Sequence, residues 1–353
     1  MNFDQILNSP DIKTLLDLKC EKIPTSLLRL PGSLEEKLDF AKAAGISNQT
    51  LVNLTRLYKS GALGGSGYLS VLAVDQGVEH SALFSFLSNP KMFDPQSVLQ
   101  FAIDSGFSAV AIPFGTLFSV ARQFCYKIPI IAKITHNELL TVPPRWIQTH
   151  FATVKQIWDA GCIGVGITVY FGSEHSREEI EKAKDVISQA RDLGLLVFCW
   201  CYPRNKLFRT ETVNLEEADD ITSQAVYLGC ALGVDFVKQK IPSFSRGFRA
   251  LKSEGYEVKV SKEMLDLDLS HQIEMVRLQV LHANAGRIGL LSSGGESEHD
   301  DFLKVAKIAI INKRAGGTGL MIGRKVFKHG YETGFRIAEL IHHVYLENKI
   351  NLA

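Results

Sequence analysis

Tyr68-Leu-Ser-Val-Leu-Ala-Val-Asp75 is the first of eight short apolar runs that alternate with longer segments of helical period. Each run is too short for a helix and rich in β-branched residues, so each predicts a strand. The runs are apolar almost throughout, as expected for parallel strands covered on both faces. The other seven runs span residues 109–114, 128–133, 163–169, 195–200, 234–238, 288–293 and 320–324.

Helix start and stop signals lie between these runs. Asp94-Pro95 supplies an N-cap and a proline at the first helical position, and Gly106 follows the last apolar repeat of that segment. Ser176 with Glu179 has the spacing of a capping box at the start of a charged helix. The chain therefore reads as strand followed by helix, repeated eight times.

Eight such units between residues 68 and 324 fit the roughly 250 residues of a closed (β/α)8 barrel. An open doubly wound sheet usually has fewer strands and a glycine-rich turn after the first one. Here the first strand ends in Asp75-Gln-Gly-Val-Glu-His80, which is not that turn. The predicted fold is α/β, a (β/α)8 TIM barrel over residues 66–353 with an N-terminal helical extension over residues 1–65. That extension either plugs the bottom of the barrel or makes subunit contacts.

Composition excludes several classes of protein. The 353 residues carry 39 Lys and Arg against 38 Asp and Glu, for a net charge of +1, which excludes a strongly basic nucleic-acid binder. Hydrophobic residues make up 46% of the chain, as in a compact globular protein. We therefore expect no nucleic-acid partner.

The six cysteines are scattered through apolar stretches without a CxxC pair, so they predict reduced thiols. The first ten residues lack the basic flank and apolar run of a signal peptide. No uninterrupted apolar stretch reaches the length of about 18 residues that a membrane span needs. These features predict a cytoplasmic protein that is not inserted in a membrane.

In a (β/α)8 barrel the reacting groups come from the C-terminal ends of the strands. Lys133 and Lys238 both end apolar runs there, although lysine is rarely buried because desolvating its ammonium is costly. Burial and a neighbouring cation favour the neutral amine, which attacks a carbonyl to form a Schiff base. The alternative is that each lysine lies above the last buried layer and extends its ammonium to solvent.

A second group of residues follows the last two strands. Ser293-Gly294-Gly295 ends the seventh run and Gly323-Arg324 ends the eighth. Barrels often bind phosphate through backbone N–H groups of these two loops, and glycine lets the backbone approach closely. The pattern favours a phosphate site to which Arg324 adds charge, although Gly294-Gly295 as a plain turn is the alternative.

Three more side chains follow the fifth run, where Trp200, Tyr202 and Arg204 share one face of an extended chain. Taken alone, Trp200 fits core packing as well as substrate contact, and Tyr202 fits a rim position. Asp75 alone fits a helix cap.

A metal site is the other chemistry that the strand ends allow. His80 and His136 lie in sequence near Asp75 and Glu138, but they lack the spacing of HxH or HExxH motifs. We therefore expect neither a metal nor another cofactor.

Five motifs together resemble the bacterial and archaeal-type class I fructose-bisphosphate aldolases. The resemblance extends over nearly the whole chain and places the motifs in order at matching strand ends. They are Val74-Asp-Gln-Gly-Val-Glu-His80, Trp200-Cys-Tyr-Pro-Arg204, Phe236-Val-Lys-Gln-Lys240, Ser293-Gly-Gly295 and Gly319-Leu-Met-Ile-Gly-Arg-Lys325.

The resemblance implies a role for each motif residue. Lys238 matches the Schiff-base lysine, Tyr202 the proton-transfer tyrosine and Asp75 the aspartate at the end of strand one. The substrate-binding residues implied are Lys133, Trp200, Arg204, Ser293, Gly294, Gly295, Gly323 and Arg324. The family further implies a phosphorylated sugar substrate, no metal and a homo-oligomer.

Two other classes of function remain open from the sequence. A transaldolase-like or thiolase-like transferase on a related sugar phosphate would use the same lysine. A non-catalytic sugar-phosphate-binding barrel would need the phosphate loops alone. A metal-dependent aldolase is a further alternative, which resistance to EDTA would dismiss.

Overall fold

The fold was taken from a computed structural model that describes residues 3–30, 33–142, 145–209, 214–297 and 300–353. These residues contain ten β-strands, eight of which coincide with the eight predicted runs. The strands are β1 (Leu69–Ala73), β2 (Ala109–Pro113), β3 (Ile130–Lys133), β4 (Thr135–Asn137), β5 (Gln148–His150), β6 (Gly164–Phe171), β7 (Leu196–Pro203), β8 (Phe236–Gln239), β9 (Gly289–Ser293) and β10 (Gly319–Ile322).

Eight of the strands form one closed parallel barrel in the order β1-β2-β3-β6-β7-β8-β9-β10. The barrel closes where β1 pairs with β10, beginning with Leu69 opposite Gly319. Each of the other seven neighbouring pairs is also parallel. The prediction of a (β/α)8 barrel is confirmed, and the open doubly wound sheet is excluded.

The remaining two strands, β4 and β5, pair in antiparallel fashion between β3 and β6. The apolar runs of the sequence did not predict this hairpin. Two barrel strands are also longer than predicted, because β6 continues to Phe171 and β7 to Pro203. Their longer ends carry Tyr170 and Tyr202 towards the mouth of the barrel.

The strands are connected and covered by helices. The α-helices are α1 (Phe3–Leu7), α2 (Pro10–Asp17), α3 (Leu34–Ala43), α4 (Asn48–Lys59), α5 (Ala82–Phe86), α6 (Pro95–Asp104), α7 (Phe114–Leu117), α8 (Ala121–Phe124), α9 (Val154–Asp159), α10 (Ser176–Asp192), α11 (Asp219–Ala231), α12 (Gly247–Ser253), α13 (Lys262–Asp266), α14 (Gln272–His282), α15 (Asp301–Ala315), α16 (Arg324–Phe327) and α17 (Tyr331–Leu346). Short 3-10 turns span Thr25–Leu27, Pro90–Phe93, Lys206–Phe208, Leu215–Glu217 and Asn284–Gly286.

The helix punctuation of the sequence is confirmed at one helix and wrong at another. Asp94 caps α6 by accepting hydrogen bonds from the first turn, and Gly106 follows that helix with a φ of 71°. Ser176 does not cap α10, because the N-cap position is His175. Glu179 is instead turned inward and accepts hydrogen bonds from the backbone N–H groups of Gln148 and Tyr170.

The N-terminal helices contribute to the barrel core. Leu54, Leu57 and Tyr58 of α4 are buried in one cluster with inward-facing side chains of the strands. The Asn53 side chain donates a hydrogen bond to the carbonyl of Gly194, just before β7 begins. Helix α4 therefore closes the N-terminal end of the barrel, in agreement with the plug alternative.

Helices α1 and α2 lie elsewhere, on the outside of the barrel. Their Ile6 and Ile12 are buried in the large core cluster between the strands and the outer helices. Asp11 of α2 forms an ion pair of 2.6 Å with Lys307 of α15. The division of the chain at residue 65 stays a prediction, because packing of this kind does not define an independent unit.

Candidate active site

A cavity of about 770 Å³ opens at the C-terminal end of the barrel strands. It is the place where catalytic groups of (β/α)8 barrels collect. All but one of the eleven site residues named from the sequence line it. Those that do are Asp75, Trp200, Tyr202, Arg204, Lys238, Ser293, Gly294, Gly295, Gly323 and Arg324.

Lys238 lies on β8 with only 8% of its surface exposed. Burial lowers its pKa to about 8, and the neighbouring cations Lys133 and Arg324 act in the same direction against the opposing charges of Asp75 and Glu79. Its Nζ lies 5.1 Å from the centroid of the Trp200 ring. A sizeable fraction of this amine is therefore neutral close to physiological pH, as nucleophilic attack requires.

Lys133 is fully buried and is the one predicted site residue that does not line the cavity. Its ammonium forms ion pairs with Glu79 and with Asp75, the latter at 3.5 Å, and lies 4.9 Å from the Trp200 ring centroid. The alternative in which the strand-end lysines extend to solvent is therefore wrong for both lysines. Two carboxylates compensate for burying the Lys133 charge.

Asp75 is 5% exposed and lies beside both lysines. Burial alone would raise the pKa of this carboxyl group, but Lys133, Lys238 and His80 more than offset burial and lower the pKa. The helix-cap interpretation is wrong, since the next helix begins at Ala82 and is capped by Ser81. Asp75 is thus an ionised carboxylate at the base of the cavity.

Tyr202 lies near the end of β7 and faces the same cavity. Burial raises the pKa of its phenol well above the usual value, the charge of Asp75 raises it further, and a hydrogen bond with Ser293 opposes both. The guanidinium of Arg204 lies 5.5 Å from the Tyr202 ring and 5.3 Å from the Tyr170 ring. Tyr202 is therefore a neutral phenol in the resting site, held between Ser293 and Arg204.

The two glycine loops form another part of the cavity wall. A Cβ at Gly294 would lie 2.5 Å from Cγ1 of Ile322, and one at Gly323 would lie 2.1 Å from the carbonyl oxygen of Ala73. Only glycine fits these two close approaches, and both glycines line the cavity. Arg324 follows directly and pairs with Glu296 at 2.8 Å.

Glu79 and Tyr170 are cavity residues that the sequence analysis missed as site residues. Glu79 accepts hydrogen bonds from Lys133, from Thr168 Oγ1 at 3.0 Å and from the Tyr170 hydroxyl at 2.9 Å. The signal for Glu79 was present, because it lies in the quoted Asp75 to His80 motif. Tyr170 carried no signal, since the predicted strand ended one residue before it.

The mouth also carries cations paired with acidic side chains. Glu216 accepts from Arg204 at 2.9 Å and from Arg209 at 2.7 Å, and Glu217 accepts from Lys240 at 2.9 Å. These pairs lie on the side of the cavity formed by the segments after β7 and β8. The cavity thus presents cations on two sides, as an elongated anionic substrate would need.

The side chains considered for a metal site do not gather into one. Across residues 3–30, 33–142, 145–209, 214–297 and 300–353, no group of three or more His, Cys, Asp or Glu side chains is arranged to hold a metal ion. His80 lines the cavity, and Glu138 instead accepts from the Leu140 N–H and the Thr141 hydroxyl. Metal independence stays a prediction that a chelator tests.

The structure also tests the predictions about membrane-spanning segments and cysteines. Within the described ranges, no helix has the length and apolar content to cross a membrane. All six cysteines are free thiols, and all but Cys125 are buried.

Comparison with known proteins places the chain in a family. The sequence profile of the DeoC/LacD family aldolases matches residues 69–329, more than half of the chain. The probable fructose-bisphosphate aldolase class 1 of Chlamydia muridarum is 44% identical over 344 residues, 97% of each chain. Its counterpart in Chlamydia pneumoniae is 42% identical over 357 residues and covers both chains completely.

Solved structures agree on the fold. An archaeal fructose-1,6-bisphosphate aldolase, with its catalytic lysine bound to the carbinolamine intermediate, superimposes with a TM-score of 0.64 at 23% identity over 84% of this chain and 100% of that one. The fructose-bisphosphate aldolase of Slackia heliotrinireducens gives a TM-score of 0.69 at 20% identity and covers 92% of each chain. The family match, the full-length relatives and the closed barrel agree: this chain belongs to the DeoC/LacD family of aldolases.

Proposed function

We propose that this protein is a class I fructose-bisphosphate aldolase, a lyase that reversibly cleaves fructose 1,6-bisphosphate to dihydroxyacetone phosphate and glyceraldehyde 3-phosphate in glycolysis and gluconeogenesis. The observation that carries the proposal is the buried Lys238, whose pKa of about 8 supplies a neutral amine at the base of the cavity. The full-length relatives at 42% and 44% identity support the same activity.

The first step joins Lys238 to the substrate. The neutral amine adds to the C2 ketone to form a carbinolamine, which loses water to give a protonated imine. Asp75 is the ionised carboxylate beside Lys238, and it assists the proton transfers of this dehydration. The imine then withdraws electrons from the C3–C4 bond.

Cleavage needs a group that moves a proton at the C4 hydroxyl. Tyr202 first gives its phenol proton to the hydroxyl group that leaves the carbinolamine as water, and the resulting phenolate takes the C4 proton as the C3–C4 bond breaks and glyceraldehyde 3-phosphate leaves. The electron pair of the broken bond remains on the enamine at Lys238. Protonation of the enamine at C3 and addition of water to the resulting imine release dihydroxyacetone phosphate and restore the amine. The raised pKa of Tyr202 makes its phenolate a strong base for the C4 hydroxyl proton, and the phenol formed in that step is the proton donor to the enamine.

Substrate binding uses the glycine loops. The backbone of Gly294, Gly295 and Gly323 with the guanidinium of Arg324 holds the phosphate of the dihydroxyacetone half, and Arg204 and Trp200 complete the pocket. Because Arg324 is paired with Glu296 in the free protein, phosphate takes over a site that already holds an anion. Binding of the phosphate places the C2 ketone beside Lys238, so the binding energy holds the reacting groups in the orientation that attack requires.

We also propose a cytoplasmic homo-oligomer. Six unpaired thiols suit a reducing compartment. Several large apolar side chains next to the mouth are exposed, which suits burial against further copies of the chain. They are Leu83, Phe84, Leu87, Phe93 and Phe118.

A coupled assay tests the proposed function directly. Purified protein in EDTA is supplied with fructose 1,6-bisphosphate, and triose phosphate release is followed. Cleavage in EDTA supports a class I aldolase, and cleavage only after a divalent metal is added indicates a metal-dependent aldolase. Exchange of a dihydroxyacetone unit between sugar phosphates without net cleavage indicates a transferase. Phosphate binding without either reaction indicates a sugar-phosphate-binding barrel.

A further inference from the structure

Glu79 contacts three side chains from two different strands. Its Oε1 accepts from the Lys133 ammonium on β3 and from Thr168 Oγ1 on β6, and its Oε2 accepts from the Tyr170 hydroxyl on β6. The Glu79 side chain is only 8% exposed. Both of its carboxylate oxygens are therefore engaged, and the side chain is held in one orientation.

Lys133 is held in turn by this carboxylate. Its ammonium contacts Glu79 and Asp75 and faces the Trp200 ring, and no part of the side chain is exposed. Lys133 is one of the cations that lower the pKa of Lys238. A buried lysine without Glu79 would keep a single carboxylate partner at 3.5 Å, so its position would be poorly defined.

Tyr170, which donates a hydrogen bond to Glu79, is itself held by a residue of the outer helix α10. The backbone N–H of Tyr170 donates to the buried carboxyl group of Glu179 on α10 at 2.7 Å. Tyr170 is also the register partner of Tyr202 on the neighbouring strand β7. The contacts therefore run from an outer helix through Tyr170 and Glu79 to Lys133, which lies beside the site.

We propose that Glu79 is a positioning residue, which fixes the Lys133 ammonium beside Asp75 and over the Trp200 ring that Lys238 also faces, and which is itself held by Thr168 and Tyr170. This inference rests on the proposed function, in which Lys238 is the nucleophile. The charged and titratable groups that face Lys238 are Asp75, Glu79, His80, Lys133 and Arg324. Glu79 acts on the reaction through Lys133 and through its own charge at this cluster, and it forms no bond to the substrate.

The test compares Glu79→Gln with Glu217→Gln. Both replace a cavity-lining carboxylate, but Glu217 pairs with Lys240 and Ser243 instead of Lys133. The pKa of Lys238 is measured by competitive labelling with acetic anhydride and peptide mass mapping, which needs no aldolase activity. The pH dependence of kcat/KM for fructose 1,6-bisphosphate is measured in parallel, and a thermal melt confirms that each variant is folded.

Loss of the Glu79 charge removes an anion that faces Lys238, so Glu79→Gln should lower the pKa of Lys238. The acid limb of kcat/KM should move with it by about half a pH unit, a change of about threefold in the neutral fraction. The loss of a fixed Lys133 should also lower kcat by about tenfold. Glu217→Gln should leave the labelling pKa of Lys238 as in the wild type.

A second variant separates charge from position. Tyr170→Phe removes one hydrogen-bond donor to Glu79 but leaves the Glu79 charge unchanged. We therefore expect kcat to fall while the acid limb of the kcat/KM profile stays at the same pH. If Glu79→Gln changes neither the labelling pKa of Lys238 nor kcat, the inference is overturned. If Glu79→Gln shows the predicted change in labelling but the wild type does not cleave the substrate, the proposed function fails while the effect of the Glu79 charge on Lys238 stands.

Discussion

The Lys133 ammonium nitrogen lies 3.5 Å from Oδ2 of Asp75, inside the barrel and away from its solvent-exposed rim. An ion pair buried this deeply is retained at the expense of desolvating both charges, so it does not serve stability alone. Its two members act in opposite directions on Lys238, because Lys133 lowers the pKa of that amine and Asp75 raises it. The buried Lys133–Asp75 pair therefore acts electrostatically on Lys238, the proposed nucleophile.

The activity should depend on pH through Lys238. The neutral amine is the nucleophile, so kcat/KM should rise with pH up to the pKa of about 8. Below that pKa it should fall by about tenfold per pH unit. A pH profile of fructose 1,6-bisphosphate cleavage checks this expectation, and a flat profile between pH 6 and pH 9 would contradict the assignment.

Arg324→Ala should weaken substrate binding. Removing a charged donor to the phosphate should raise KM by about 10- to 100-fold, with a smaller effect on kcat. Arg287→Ala is the matched control, because Arg287 is exposed just before β9 at the opposite end of the barrel. Steady-state kinetics of both variants measure KM and kcat. Loss of imine formation without loss of substrate binding in Arg324→Ala would argue against phosphate binding by Arg324.

Leu57→Ala should destabilise the whole barrel. Leu57 is fully buried in the cluster that joins α4 to the inward-facing strand residues. The resulting cavity should lower the free energy of unfolding by about 2–5 kcal/mol. Denaturant unfolding measures the loss. Val52→Ala, on the exposed face of the same helix, should have little effect, and equal losses for the two variants would speak against the plug.

Glu179 should make stability depend on pH. Burial raises its pKa to about 7, against the usual 4.5, although two backbone N–H groups oppose the shift. The folded state therefore binds this proton more tightly than the unfolded chain does. This contribution, about 3 kcal/mol, is fully present below pH 4.5 and is lost as the pH rises through about 7.

Glu179→Gln should reduce the difference in unfolding free energy between pH 5 and pH 7.5, as measured by urea denaturation. Glu178→Gln is the control, because the neighbouring side chain is 66% exposed. An unchanged difference in Glu179→Gln would show that Glu179 is ionised throughout this range.

The strand pattern predicted the barrel because near-continuous apolar strands are typical of parallel sheets that are covered on both faces. The same pattern could not predict the β4 and β5 hairpin, whose three-residue strands are mostly polar. It also misread Glu179 as part of a capping box, since a local spacing rule does not register the long-range partners Gln148 and Tyr170.

Most of the site could be predicted because the residue after each apolar run must lie at one mouth. Glu79 was missed because it lies in the loop six residues beyond the end of β1, where only the folded chain shows that it reaches Lys133. The sequence likewise could not predict that the Lys133 side chain is fully buried. A strand-end lysine extends outward or inward according to partners that come from other strands.

A covalent adduct on Lys238 is the most direct evidence that this lysine is the nucleophile. The protein is incubated with dihydroxyacetone phosphate in EDTA, reduced with borohydride and analysed by peptide mass mapping. We expect a triose-phosphate adduct on Lys238, which is lost in Lys238→Ala and kept in Lys240→Ala. An adduct on Lys133 or Lys240 in the wild type, or none on any lysine while the ligand still binds, would contradict this expectation.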